Sequence, residues 1–172
     1  MTGPGGGAYY LGMDKQAVFD FLNENKIKFD VHYHPATVSV ADSNKIIHIP
    51  DALGCKSLFV KDKKSERFFM AVLPNDKRAD MRGLARYVGA DKFEFGAAEK
   101  MLETLGVVRG NVSPFCFLHP ASAGVGLLID KKLEASPVVR FHPCDNTATV
   151  VLSSKDFFLC MKLLGKNYIL VD

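Results

Sequence analysis

Residues 55–74 read CKSLFVKDKKSERFFMAVLP: two apolar runs separated by a charged stretch at Asp62 to Glu66. Each run has the length and the β-branched and aromatic content of a strand, and the polar interval suits a tight reversal, so the segment predicts a β-hairpin. In the first strand, side chains alternate. Lys56, Leu58 and Val60 go to one face, and Ser57, Phe59 and Lys61 to the other. A lysine sharing a face with Leu58 and Val60 either snorkels at a strand end or lines a pocket.

Upstream of the hairpin, Asp14 is placed to cap a helix running to about Asn25, with Ala17, Val18, Phe21 and Leu22 as its apolar stripe. Phe29 to His34 alternates like a strand and stops at Pro35. Ser39 and Asp42 resemble a capping box opening a helix that Pro50 interrupts and Gly54 ends. Downstream, residues 76–88 (DKRADMRGLARYV) put Met81, Leu84, Ala85 and Val88 on one helical face, and Gly89 stops the helix. Lys92 to Phe95 predicts a short strand, Ala97 to Leu105 a helix closed by Gly106, and Phe115–Leu118, Val125–Ile129, Val138–Phe141 and Thr147–Leu152 further strands. A Ser153-capped helix through Leu164 and an apolar tail at Tyr168 to Val171 complete the chain. Six or seven strands among five helices imply one mixed α/β domain, a mostly antiparallel sheet with helices packed around it.

The chain has 172 residues, 48% hydrophobic and 24% charged, and no window approaches the ~18 consecutive apolar residues of a membrane span. Residues 1–12 read as a flexible Gly-rich leader or tag remnant without the pattern of a secretion signal, and residues 13–172 as the domain. The four cysteines form no CxxC pair or zinc-type cluster, which favours reduced thiols in the cytoplasm. A net charge of +3 is too modest for nucleic-acid binding by charge alone, so such a partner would be held at a few points.

Residues 106–115, GVVRGNVSPF, concentrate conformationally special residues between a helix and an apolar run. Gly106 and Gly110 accept positive φ and let a backbone or ligand approach, and Pro114 fixes the exit. The amides of Gly110, Asn111 and Val112 are candidates to point into one concavity as donors for an anion. A helix C-cap followed by a Ser-Pro turn is the alternative.

Five segments in order, HPATVSV, KSLFVKDKK, VLPNDKRADMRGLA, GVVRGNVSPF and FHPCDNTATV, resemble the editing-domain family related to the insertion domain of bacterial prolyl-tRNA synthetase, often called YbaK-like domains or aminoacyl-tRNA deacylases. The resemblance runs from about His34 to the C-terminal helix. It is strongest to the free-standing prolyl-tRNA synthetase-associated branch, the ProXp-ala or PrdX type. It implies hydrolysis of the ester linking a wrong amino acid to the terminal adenosine of a tRNA, with alanyl-tRNA(Pro) the leading substrate and cysteinyl and seryl esters as alternatives. A non-catalytic tRNA-binding or synthetase-associated module of the same fold is the rival reading. Neither cofactor nor metal is implied. The partners implied are the 3′ aminoacyl-adenosine end of tRNA, tRNA(Pro) above all, and an aminoacyl-tRNA synthetase.

By the same resemblance Lys56 holds the substrate terminus, and Gly110, Ser113 and Pro114 form a loop over the aminoacyl group. Ser57 stands where relatives often carry asparagine. Ser113 has two open roles, contacting the substrate or a water, and capping its own turn. His142 with Asn146 and Thr149 resembles a second pocket wall. The imidazole of His142 orients an amine or a water with a pKa near neutrality, or simply bonds a turn before Pro143. His34 falls at the pocket rim. His32 and His34 lie two apart on one strand without a third ligand nearby, which favours structural roles over a metal. The cations Lys61, Lys63, Lys64, Arg67, Lys77, Arg78, Arg82 and Arg86 belong either to a tRNA-facing surface or to solvated, acid-paired faces. These assignments require Lys56 and the Gly110 bend to face each other across one small cavity.

Overall fold

A computed structural model of the chain describes residues 12–37 and 39–172. The expected leader lies outside the described residues apart from Gly12. Among the described residues, eight strands form one mixed sheet: β1 (Asp30–Tyr33), β2 (Leu53–Asp62), β3 (Phe68–Pro74), β4 (Phe93–Phe95), β5 (Gly126–Asp130), β6 (Val138–Phe141), β7 (Ala148–Ser153) and β8 (Ile169–Val171). The helices are α1 (Lys15–Glu24), α2 (Val40–Ile46), α3 (Met81–Arg86), α4 (Ala98–Leu105), α5 (Lys131–Ala135) and α6 (Ser154–Leu163), with short 3-10 turns at Pro114–Leu118 and Pro120–Ser122.

The strand order is β1-β7-β6-β2-β3-β5-β8, with β4 joined to β2. β1 with β7, β6 with β7, β2 with β3 and β2 with β4 are antiparallel. β2 with β6, β3 with β5 and β5 with β8 are parallel. Alternation along β2 feeds two separate cores. Phe59 enters a cluster with Val18 of α1, Met101 of α4, Phe115 of the first 3-10 turn and Phe157 of α6. Val60 enters a second cluster with Phe69, Phe93 and the α3 residues Leu84 and Ala85.

Local sequence accounts for most element boundaries. Asp14 accepts from the Ala17 amide, Ser39 from Asp42 and Ser153 from Asp156, each satisfying an orphan donor of the first turn. Gly106 closes α4 at φ 69°, the left-handed geometry that disfavours other residues. It also admits another backbone. The Met13 amide donates to the Gly106 carbonyl at 2.8 Å, and a Cβ at position 106 would lie 3.1 Å from the Met13 nitrogen.

Three expected elements differ. Residues 115–118 are a 3-10 turn with Phe115, Cys116 and Phe117 buried on all sides, so their apolar run carries no strand periodicity. α2 ends at Ile46, and Gly54 lies inside β2 instead of terminating a helix. α3 begins only at Met81, because the Asp80 carboxylate caps it by accepting from the Arg82 and Gly83 amides.

Candidate active site

The site opens at a fork in the sheet. One edge of β2 pairs with β3 from Cys55 to Lys61. The other edge pairs with β6 only at Leu53 and Gly54, then with β4 only from Val60 to Asp62. Between these pairings the edge carries no partner strand among the described residues. Antiparallel register turns the backbone N–H and C=O of Cys55, Ser57 and Phe59 toward that gap, and the Phe59 carbonyl accepts there from the Gly96 amide at 3.0 Å. Ser57 therefore presents main-chain polar groups to the opening. Gly54 and Arg140 are paired in parallel register, so Lys56 and His142 leave the fork level with each other.

A cavity of about 370 Å³ fills this gap. Its walls include Lys56, Ser57, Gly110, Ser113, His142 and Thr149, all expected from sequence. Because β2 alternates, the cavity wraps around the strand's bare edge: Cys55, Ser57 and Phe59 face one side, and Lys56 and Leu58 the other. The inner end is braced by aromatic rings. Phe141, one residue before His142, stacks on Phe157 at 4.6 Å and meets Phe115 edge-on at 6.2 Å, tying the end of β6 to the loop that carries Ser113.

Burial lowers the pKa of the Lys56 ammonium while Asp76 acts in the opposite direction, and Nζ donates to the Asn75 carbonyl at 3.3 Å. Gly110 adopts φ 95°. The expected trio of converging amides is not assembled, because the Asn111 N–H turns back to the Val108 carbonyl at 3.1 Å. Ser113 is buried, and its Oγ accepts from the Phe115 amide at 3.3 Å, so it caps the 3-10 turn from the cavity wall.

Pro114, Asn146 and His34 do not line the cavity. Pro114 is buried at the first position of the 3-10 turn, where its missing N–H and fixed φ suit helical geometry. Asn146 is a brace: its amide donates to Asn111 Oδ1 at 3.1 Å, and its Nδ2 to the Thr37 carbonyl at 2.8 Å. His34 stands behind Thr149. Its Nδ1 lies 2.9 Å from the Pro35 carbonyl, which can only accept, so a neutral ring carries its proton there. Nε2 then accepts from Thr149 Oγ1 at 2.9 Å, leaving the threonine oxygen's lone pairs free for the cavity.

His142 departs from the sequence expectation. Burial, reinforced by His34 at a ring separation of 5.8 Å, pushes its pKa down to about 4, against the opposing effect of a backbone hydrogen bond with Gly110. The ring is neutral near pH 7. Its folded pKa lies below its unfolded one, so acid favours the unfolded chain, which takes up the proton first. Stability attributable to His142 is intact above pH 6.5 and falls as pH drops from 6.5 to about 4, by up to about 3 kcal/mol. Urea titrations at stepped pH should show this slope in the wild type and a shallower one in His142→Asn. Equal slopes would remove His142 as its source.

Residues not singled out from sequence complete the site. Arg109 and Arg140 join Lys56 in the lining, and among the described residues no aspartate or glutamate accompanies these cations there. Arg140 straps α2 to the sheet by donating from Nη1 to the Ile47 carbonyl at 3.2 Å. Gly54 makes room for it: a Cβ there would lie 2.8 Å from Arg140 Nη2 and 2.6 Å from Asn75 Nδ2. An arginine inside the apolar alternation of VVRF was the available signal. Cys55 also lines the cavity, but burial pushes its thiol up to about 12, which suppresses the thiolate a nucleophile needs. Among the proposed tRNA-facing cations, Lys61 pairs with Glu66 at 2.7 Å, Arg67 with Asp62 at 2.9 Å, and Lys77 with Asp130. Such pairing supports the acid-paired reading for those three, with Asp62 and Asp130 themselves buried.

The model of the aminoacyl-tRNA editing domain matches residues 34–159, which span the fork, the Gly110 loop and the β6–β7 connection. The chain belongs to the aminoacyl-tRNA editing domain family. Among relatives, this editing domain is 33% identical over 160 residues to the prolyl-tRNA editing protein ProX of Acetoanaerobium sticklandii, covering 92% of this chain and 97% of that one. It is 29% identical to prolyl-tRNA synthetase associated domain-containing protein 1 of Mus musculus, covering 85% and 88%. A crystal structure of a candidate trans-editing enzyme for prolyl-tRNA synthetase shares the fold with a TM-score of 0.66 at 19% identity, covering 91% of this chain and 94% of that one. Among the described residues, no helix of the editing domain is long and apolar enough to cross a membrane.

Proposed function

We propose that the protein is a trans-editing deacylase that hydrolyses the ester of mischarged aminoacyl-tRNA, with alanyl-tRNA(Pro) as its principal substrate. The observation that carries this reading is the single cavity at the β2 fork, which joins Lys56, Ser57, Gly110, Ser113, His142 and Thr149 without a carboxylate. Lys56, with Arg109 nearby in the lining, suits the polyanionic 3′ end of a tRNA. The substrate's amine meets neutral acceptors such as Thr149 Oγ1. Its ester carbonyl lies between Lys56 and the Gly110–Ser113 loop.

Among the described residues no hydrogen bond joins Ser113 to His142, and the Cys55 thiol is held protonated, so neither Ser113 nor Cys55 is an activated nucleophile. Hydrolysis instead proceeds by water attack on an ester already activated by the neighbouring ribose hydroxyl. The protein supplies orientation and a cation near the developing oxyanion. His34, through Thr149, and Asn146, through Asn111, act as positioning residues. Substrate choice follows from size. A prolyl synthetase discriminates against smaller alanine by only ~1–3 kcal/mol per methylene, so a second sieve that admits alanine and excludes proline is needed. Such a reaction belongs in the cytoplasm, where charged tRNA circulates.

Incubation with alanyl-, cysteinyl- and prolyl-tRNA(Pro) tests the reading. Ester loss from the alanyl substrate with prolyl-tRNA(Pro) preserved is expected. Preferential loss of cysteine would reassign the substrate, and retention of all three esters would leave a tRNA-binding module.

A further inference from the structure

Phe95 is 64% exposed, an unusual position for a phenylalanine on a strand whose other ring is fully buried. Phe93 and Phe95 point to the same side of β4. Phe93 is 0% exposed and packs on Phe69 at 5.1 Å within the core under α3. Phe95, two residues on, pairs in register with Val60 and passes beyond that cover into the lining of the cavity. By β2 alternation it shares its face with Leu58 and Lys56, both of which also line the cavity. The outer side of the bare edge therefore presents, along one strand face, an uncovered aromatic ring, an aliphatic floor and a cation. By register the same face continues across β6 and β7: Gly54 pairs with Arg140 and Arg140 with Val151, which puts Thr149 on the Lys56 side of the sheet, with His142 following Arg140 at the end of β6 and Ser113 in the same lining.

From this arrangement we infer that Phe95 is the stacking platform for the terminal nucleobase of the tRNA. The base lies on the Phe95 ring, the ribose-phosphate crosses Leu58 toward Lys56, and the aminoacyl group reaches on past Lys56 toward His142 and Thr149. An exposed ring that lines a cation-bearing, carboxylate-free cavity matches the pairing of aromatic face and positive charge by which proteins hold single-stranded nucleic acid ends. Phe95 is thus a binding residue, and its contribution falls on affinity more than on the chemical step. The inference rests on the deacylase reading, and the test separates the two.

The probe is an acceptor-stem minihelix whose 3′ adenosine carries alanine through a non-hydrolysable amide, compared with the same RNA ending in an abasic ribose. The wild type should bind the adenosine-terminated RNA about 5- to 150-fold more tightly, the range expected for one base stacked on one aromatic side chain. Phe95→Ala should abolish that preference, Phe95→Trp should retain it, and both should melt like the wild type because the ring is exposed. Equal wild-type affinity for the two RNAs, or an undiminished preference in Phe95→Ala, overturns the stacking role and leaves the deacylase reading intact. Failure of the wild type to bind either RNA overturns both.

Discussion

Replacing Lys56 with alanine is expected to lower kcat/KM for alanyl-tRNA(Pro) by about 100-fold or more, the usual loss when one preorganised electrostatic contact to the reacting ester is removed. The fold should survive. Lys56 is only half-buried, its side chain donates to the Asn75 carbonyl, and β2 keeps its main-chain pairing with β3 whatever side chain stands at position 56. Lys56→Arg distinguishes charge from shape. A guanidinium keeps the charge but not the compact ammonium, so partial activity points to anchoring of the RNA, and complete loss points to a fitted contact at the ester. Thermal melting fixes the comparison to folded protein, and a folded Lys56→Ala with wild-type rates would take Lys56 out of the mechanism.

Gly110→Val is expected to lower kcat/KM by about 10- to 100-fold, for a reason the sequence alone leaves hidden. Crowding is the obvious guess, yet a Cβ at position 110 meets nothing nearer than Asn146 Nδ2 at 3.8 Å. Conformation is the obstacle. At φ 95° a β-branched residue carries a strain of about 1–3 kcal/mol, which the loop relieves by rotating to negative φ. That rotation disturbs the Asn111 side chain, which accepts from the Asn146 amide, and with it the seating of Ser113 on the cavity wall. Gly110→Ala should fall between valine and wild type. Unaltered kinetics in the valine variant would mean that the loop's geometry does not matter to the reaction.

The hairpin, the capped helices α1, α2 and α6, and the closure of α4 at Gly106 were legible because each is written in local chemistry: alternation, a side-chain oxygen before a helix, a glycine after one. The run FCFL at 115–118 misleads because burial from every side erases periodicity. The better signal was Ser113 and Pro114, a cap and an N1 proline. Gly54 misleads differently. It looks like a helix terminator, but its lack of a side chain serves Arg140 and Asn75, residues far away in sequence. For the site, the ordered segments pointed to Lys56, Ser57, Gly110, Ser113, His142 and Thr149 in one cavity. The neutral state of His142 was invisible, since it depends on burial and on the approach of His34. Arg140 is marked in the sequence by its place in the apolar alternation of VVRF, whereas Arg109 and Phe95 are not, because a cation in a loop and a ring in a strand acquire meaning only from neighbours the fold supplies.

Because β2 is stitched to β3 along nearly its whole length and to β6 and β4 only at its ends, the scaffold separates what must stay fixed from what is free to drift. The strand bears the mechanical load. The loops after α4 and β6 and the short helix α2 close on its open middle through side-chain bonds, from Arg140 to Ile47 and from Asn146 to Thr37 and Asn111. Descendants of one ancestor can therefore exchange wall residues and change which amino acid they discard without rebuilding the sheet. Diversification of this kind asks little of folding stability, the resource that most often limits how far a protein's chemistry can wander.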